Sequence, residues 1–287
     1  MATLRAVKKR IRSVVSTRRI TKAMEMVAAA KLRKAQQRVM QAKPYAKKLD
    51  EMLSHLAAGS AGEITHPYFE GRPIRRRTLV VITSDRGLCG SFNSNVIRRA
   101  DQWLNEQRDG VVEIVAIGKR ANDYYKRRRW PIVQFFGEWG GVVDYDKARR
   151  VVALLTARFV AGQTDAINLV YTRYLSTVRY QLTNEQYLPI ARPKVSQEEI
   201  SGEYIFEPSP EMIYAALMPG YATTKMVTAL VESFASEHGS RMMAMGAATS
   251  NAGDMIDTLT LDYNKARQAQ ITKEILEVVS GAEALKG

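Results

Sequence analysis

The 287-residue chain has a single cysteine, Cys89, only nine prolines, and no glycine at all in its first 58 residues. One cysteine excludes an internal disulfide framework and any CxxC zinc or redox pair, a pattern that suits a reducing compartment. No stretch approaches the ~20 consecutive apolar residues of a membrane-spanning helix. The opening MATLRAVKKRIRSVV also lacks the apolar core of a secretory signal. The expectation is a chain that is neither exported by that route nor threaded through a bilayer. Methionine is missing between Met52 and Met212, although the chain contains twelve. Acid is in short supply as well, leaving a net charge of +14.

That charge is concentrated. Residues 1 to 58 hold fifteen Lys and Arg against three acids, Glu25, Asp50 and Glu51, for a net +12, so the other 229 residues are nearly neutral. With Pro44 as its only turn former, this segment predicts one long helix. Its apolar residues fall in two interleaved seven-residue series: Leu4, Ile11, Leu32, Val39, Ala46, Leu53 and Val7, Val14, Ala28, Ala35, Ala42, Leu49, Leu56. Spacing that alternates three and four is the mark of a coiled-coil seam. At about 1.5 Å per residue such a helix is roughly 85 Å long and needs a partner of similar length. The partner lies at the other end of the chain. Val231, Ala235, His238, Met242, Met245, Thr249, Ala252, Ile256, Leu259, Tyr263, Ala266 and Gln270 form a second seam, in a segment with a slight excess of acid. Methionine, a flexible filler of irregular helical seams, is confined to these two segments. They are therefore expected to pair as an antiparallel coiled coil. At Arg18, Thr21 and Glu25 the first series turns polar, and Ile20, Met24 and Val27 carry the apolar character instead. That predicts a slip of the seam, or the end of the second helix opposite it.

Between the two helices the pattern changes. Thr78–Thr83, Val111–Gly118, Pro131–Phe136 and Ala166–Leu175 are short β-branched runs, separated by helical-length stretches at 93–107, 119–129 and 144–162. Such alternation predicts a mostly parallel sheet covered by helices. The run from Thr177 to Ile190 is expected to add an antiparallel edge strand. The fold class is thus α/β plus coiled coil: a long antiparallel two-helix coiled coil from the terminal segments with an inserted Rossmann-like α/β domain. The domains are placed at residues 1–58, 59–210 and 211–287.

The loop Ser84–Asn93 joins a strand to a helix, where an α/β fold would seat a phosphate. It matches neither GxGxxG nor GxxxxGK[ST], so the simpler reading is a glycine turn with Ser91 or Asn93 capping the helix. Cys89 has no histidine near it in the pattern, since His55, His66 and His238 all lie outside the α/β unit, and the three have no metal-ligand spacing. No catalytic group, cofactor or metal site is expected. Arg75–Arg77 and Lys126–Arg129 read as solvated charge. The basic first helix admits several readings: a solvated coiled-coil face, a nucleic-acid binder, a membrane-surface helix, or a helix facing acidic protein. Its bases are spread over several heptads, unlike a compact DNA-binding basic region.

Three blocks in order carry a resemblance: ITKAMEMVAAAKLRKAQ (Ile20–Gln36), SDRGLCG (Ser84–Gly90) and LDYNKARQAQITKEILEVVSGA (Leu261–Ala282). Together they resemble the γ subunit of F-type ATP synthases, the central rotor shaft, over essentially the whole chain. The resemblance implies a non-catalytic subunit whose coiled coil stands inside a ring of three α and three β subunits. It further implies that the α/β foot sits with ε on the membrane-embedded c-ring, so that ion flow through the ring is coupled by rotation to ATP synthesis and hydrolysis. It assigns β-subunit contacts to Met24, Arg241, Arg267, Gln268, Thr272 and Glu274, and a foot region near the c-ring to Tyr204 and Phe206. Membrane contact would come through the c-ring alone. The plant-type inserted cysteine pair is missing between Pro193 and Pro219, which argues against a thiol switch. The lack of a transit peptide points to a bacterial enzyme at the cytoplasmic face of the inner membrane. The alternative is a nucleic-acid-binding coiled-coil protein.

Overall fold

The computed structural model describes residues 4–59, 66–69, 71–107, 110–177, 179–191, 207 and 209–284. Helix α1 (Leu4–Gly59) and helix α5 (Pro210–Ala284) are the long terminal helices, and each passes through a proline, Pro44 and Pro219. Pro210 opens α5, where a missing N–H costs nothing. Between them lie β1 (Arg76–Ile82), α2 (Phe92–Glu106), β2 (Val111–Ile117), α3 (Lys119–Arg127), β3 (Ile132–Phe136), α4 (Tyr145–Val160), β4 (Ala166–Tyr174) and β5 (Tyr180–Leu188). The chain divides into two compact units, one of residues 28–241 and one of residues 1–27 with 242–287.

The larger unit contains the sheet, in the order β3-β2-β1-β4-β5. β1 to β4 run parallel, and β5 returns antiparallel to β4 with Leu188 opposite Ile167, the edge hairpin the sequence predicts. Alternation along the strands decides which side each residue covers. Leu79, Val81, Ile114, Ala116 and Val170 pack with Val96, Ala100 and Trp103 of α2 and with Ala121 and Tyr125 of α3. The intervening Val80, Ile82, Val115 and Ile117 are also fully buried, as expected for a sheet covered on both faces. Helix α4 starts where Asp144 accepts hydrogen bonds from the amides of Asp146 and Lys147, satisfying two of its otherwise unpaired donors.

In the same unit the predicted seam of α1 is the buried stripe: Ala28, Leu32, Ala35, Val39, Leu49, Leu53 and Leu56. Each buried leucine contributes about 2 kcal/mol of transfer free energy. On α5 the stripe is Tyr214, Met218, Ala222, Met226, Ala229, Leu230 and Phe234, with Tyr214 donating its hydroxyl to the Leu53 carbonyl at 3.0 Å. Leu32 meets the Gly239 region and Leu53 meets Tyr214, so the helices run antiparallel.

In the smaller unit Thr21 meets Thr249 through a 2.8 Å hydroxyl contact, Glu25 lies against Gly246, and Arg18 lies against Gly253. The order is again antiparallel. The expected slip of the seam does not occur. Ile20 and Val27 are each 58% exposed, whereas Thr21 and Glu25 are half-buried in the seam, and α5 does not run out opposite them. An uninterrupted helix keeps its phase. Small or hydroxylic partners, Gly246 and Thr249, accommodate the polar seam residues.

Candidate functional site

An open α/β sheet binds ligands outside the carboxyl ends of its strands, where the strand order reverses. Here the reversal lies between β1 and β4, and the loop after β1 is Ser84–Ser91. Asp85 organises it. Its Oδ1 accepts the amides of Lys119 and Glu138, both at 3.2 Å, and its Oδ2 accepts those of Trp139 at 2.7 Å and Gly140 at 3.2 Å. One carboxylate thus ties the loop after β1 to the start of α3 and to the loop after β3. Ser84 and Asn93 bond to each other across the turn, and Asn93 Nδ2 donates to Cys89 Sγ at 3.1 Å. Ser91 holds the N-cap position of α2 without a side-chain cap bond. Asn93 is spent inside the loop, so neither residue caps in the expected way. Cys89 is buried, and burial pushes its thiol above the ordinary range, which keeps it protonated and unreactive.

The space above these loops is filled by the chain itself. Arg241 of α5 donates to the carbonyls of Arg86 and Gly87 at 3.4 and 3.2 Å, and to Glu237 Oε1 at 2.7 Å. Burial drives the Glu237 carboxyl above its usual range, against the pull of Arg241. His238 Nε2 donates to the Gly141 carbonyl at 2.8 Å, Trp139 packs on Phe234, and Lys31 of α1 donates to the Gly140 carbonyl. Beside β4, Ser236 donates to the Thr172 carbonyl, and Gln36 of α1 donates to Tyr174 at 2.6 Å. A nucleotide pyrophosphate would have to displace α5. Among the described residues no group of acids, histidines or cysteine has the arrangement of a metal site.

Two consequences are measurable. Gly141 has φ +75°, and a methyl group there would stand 2.5 Å from His238 Cε1. Gly141→Ala is therefore expected to lower stability by about 2 kcal/mol, read as a fall in the urea midpoint. Burial also lowers His238 to about 4 from an ordinary 6.5. The unfolded chain binds the proton first, so this contact loses stability as pH falls from 6.5 to 4.

The resemblance-based residues fall in three places. Met24 is half-buried on α1 in the smaller unit. Arg241, its side chain 13% exposed, belongs to the larger unit and is engaged as described. Arg267, Gln268, Thr272 and Glu274 are all exposed on the last turns of α5, where Thr272 bonds back to the Gln268 carbonyl and Glu274 accepts from Gln270. Tyr204 and Phe206 lie outside the described residues. The predicted α5 seam positions from Met245 to Ala266 are buried or half-buried, but Gln270 and everything after it to residue 282 is exposed. Ile271, Ile275, Leu276, Val278 and Val279 stand open at 45–71%. Isolated apolar side chains on a surface need no explanation, whereas a cluster of five on the end of one helix marks a surface built to be covered.

A family model described as ATP synthase matches residues 3–285. An ATP synthase gamma chain of Moorella thermoacetica is 46% identical over 286 residues, covering all of both chains. The chain belongs to the ATP synthase gamma-chain family. A gamma chain of Anaeromyxobacter sp. is 44% identical, again over the full length of both. The fold is also that of a chain in the cryo-EM structure of the Euglena gracilis mitochondrial ATP synthase, OSCP/F1/c-ring. That likeness has a TM-score of 0.66 and 17% identity, and covers 98% of this chain and 94% of that one. In this gamma chain the Asp85 loop and the α5 segment around Arg241 form an internal joint. The sequence pointed to the loop but passed over Asp85, whose only signal is an acid directly after a buried strand and before glycines. Glu237 was missed as well, because a charged residue in a helix ordinarily reads as solvated.

Proposed function

We propose that this gamma chain is the central-stalk rotor subunit of an F-type ATP synthase, coupling ion flow through a membrane c-ring to ATP synthesis and hydrolysis in a ring of three α and three β subunits. Family membership over the whole chain supports the reading. The structural observation that carries it is the end of α5, which continues past its seam with α1 as an exposed, partly apolar helix. The outward Ile20 and Val27 on α1 fit the same role, since a shaft inside a ring presents apolar side chains to its surroundings. Among the described residues no helix is long and apolar enough to cross a membrane, consistent with attachment through the c-ring.

In this reading Met24, Arg267, Gln268, Thr272 and Glu274 touch β subunits, and Tyr204 and Phe206 belong to the foot near the c-ring with ε. Arg241 meets β with the guanidinium donors that Glu237 and the loop carbonyls leave unused. Residues 1–58 and 211–287 form the shaft and 59–210 the foot. The location is the cytoplasmic side of a bacterial inner membrane.

The test is reconstitution. The full chain mixed with α and β subunits is expected to form a stable complex with ATPase activity, and to bind ε. Ending the chain before Arg267 is expected to weaken torque or assembly while changing the stability of the isolated chain by less than about 0.5 kcal/mol, because exposed residues make few folded contacts. A chain that neither assembles nor stimulates hydrolysis would sink the proposal, and a truncation that melts the sheet would sink the separation of shaft tip from foot.

A further inference from the structure

Helix α5 crosses the β4–β5 edge of the sheet over a cavity of about 230 Å³ lined by polar and charged side chains. Glu232 faces it from α5 and is 5% exposed, yet no hydrogen bond reaches its Oε2. The nearest cation, Arg173 Nε on β4, stands 3.7 Å away. Arg173 is committed elsewhere: its Nη2 pairs with Glu185 of β5 at 3.1 Å and donates to the Tyr171 hydroxyl at 3.3 Å. Thr228, one turn before Glu232, also has an unpartnered hydroxyl. The remaining charges around the cavity are accounted for. Lys225 of α5 donates to the Gln186 carbonyl at 2.7 Å, Tyr221 of α5 leans on Asp50 of α1, and Lys43 of α1 acts on Glu232 from an exposed position. A buried carboxylate oxygen without a hydrogen bond is costly, and a cavity of this size and polarity holds water that can bring a proton.

We propose that Glu232 is a proton-binding site whose occupancy sets how firmly α5 holds the β4–β5 edge of the sheet. Protonated, the carboxyl is neutral and sits in place at little cost. Ionised, it draws water into the seam. Burial, helped by the Glu185 charge and opposed by Arg173 and Lys43, lifts this carboxyl from 4.5 to about 7. The packed helix therefore holds a proton that a locally opened helix releases. The sign follows: opening becomes easier as pH rises from 4.5 to 7 and beyond. Gln at this position would mimic the protonated form at every pH.

Hydrogen exchange of the full-length chain, read over residues 221–240 at pH 6 and pH 8 and corrected for intrinsic exchange, compares wild type with Glu232→Gln. Taking the ratio of the two removes the opposite contribution of His238, which lies on the same helix. Local opening of the wild type relative to Glu232→Gln is expected to rise about tenfold between these pH values. A ratio that stays flat overturns the proposal. A second measurement is independent of how the variant folds: the side-chain carboxyl carbon of Glu232 in the wild type, followed by NMR, is expected to titrate near neutrality. A midpoint below pH 5.5 overturns it too. In Arg173→Gln that midpoint is expected to move upward, and an unchanged midpoint would show that the cavity geometry is not what holds the proton.

Discussion

Replacing Arg241 with alanine is expected to lower the stability of the chain by about 3–5 kcal/mol at pH 8, because it leaves Glu237 charged and buried without a partner. The two side chains are only 13% and 6% exposed and meet at 2.7 Å. Arg241 also satisfies the Arg86 and Gly87 carbonyls, which lose a donor. The Glu237 carboxyl already lies above its usual range through burial, and loss of Arg241 would lift it further. A raised carboxyl favours the folded state at low pH, so the penalty should shrink as the urea midpoint is measured at pH 5.5 instead of 8. Adding Glu237→Gln to Arg241→Ala should recover part of the loss, since a neutral amide is far cheaper to bury. Equal midpoints for Arg241→Ala and wild type at pH 8 would mean that the pair is solvated in solution.

Asp85→Ala carries the next largest effect, about 2–4 kcal/mol. Four backbone amides lose their acceptor at once, and the start of α3 and the loop after β3 lose their common tether. Three of the four amides belong to exposed residues and can turn to water, which keeps the figure below a full sum of desolvation costs. Asp85→Asn separates charge from geometry. It retains one acceptor oxygen, so it should preserve either the Lys119 and Glu138 pair or the Trp139 and Gly140 pair and lose about half as much. Amide exchange at Lys119 and Trp139 reports which pair opens. Unchanged protection at both in Asp85→Ala would show that the loops are held by other contacts.

Sequence patterning was most reliable where one physical rule acted alone. The heptad series of α1 marks its buried stripe almost residue for residue, since burial along a helix follows only the period of the chain; the α5 series marks the buried and half-buried positions from Met245 to Ala266 but leaves out the stripe from Tyr214 to Leu230. Strand and helix runs in the middle are legible for the same reason, and the run Thr177–Ile190 reads as an antiparallel edge hairpinned to the last parallel strand. Legibility ended where neighbours across space decided the outcome. Thr21 and Glu25 looked like a break in the seam, because nothing local shows that Thr249 and Gly246 face them. Glu232 and Glu237 sit on α5 among apolar residues at the same spacing as solvated charges, whereas His238 falls on the predicted seam. Only the sheet lying against that face makes them buried. The contact residues proposed near the end of α5 rest on resemblance. Their exposure is visible in the structure, while the surfaces that would meet them belong to other chains.

The filled space at the carboxyl edge of the sheet also bears on what this fold has become. In a dinucleotide-binding protein that crevice exchanges its occupant with solution, and the occupant's concentration sets how often it is full. Here the occupant is α5, covalently joined to the sheet, so its effective concentration is fixed by the chain itself and never diluted. Arg241, His238 and Ser236 play the part of a ligand's polar groups, and Asp85 with its loops plays the part of the receptor. The result is an intramolecular complex whose open state is a local unfolding of the chain and not the release of a ligand into solution. Its affinity shows up as resistance to bending between helix and sheet, a mechanical property.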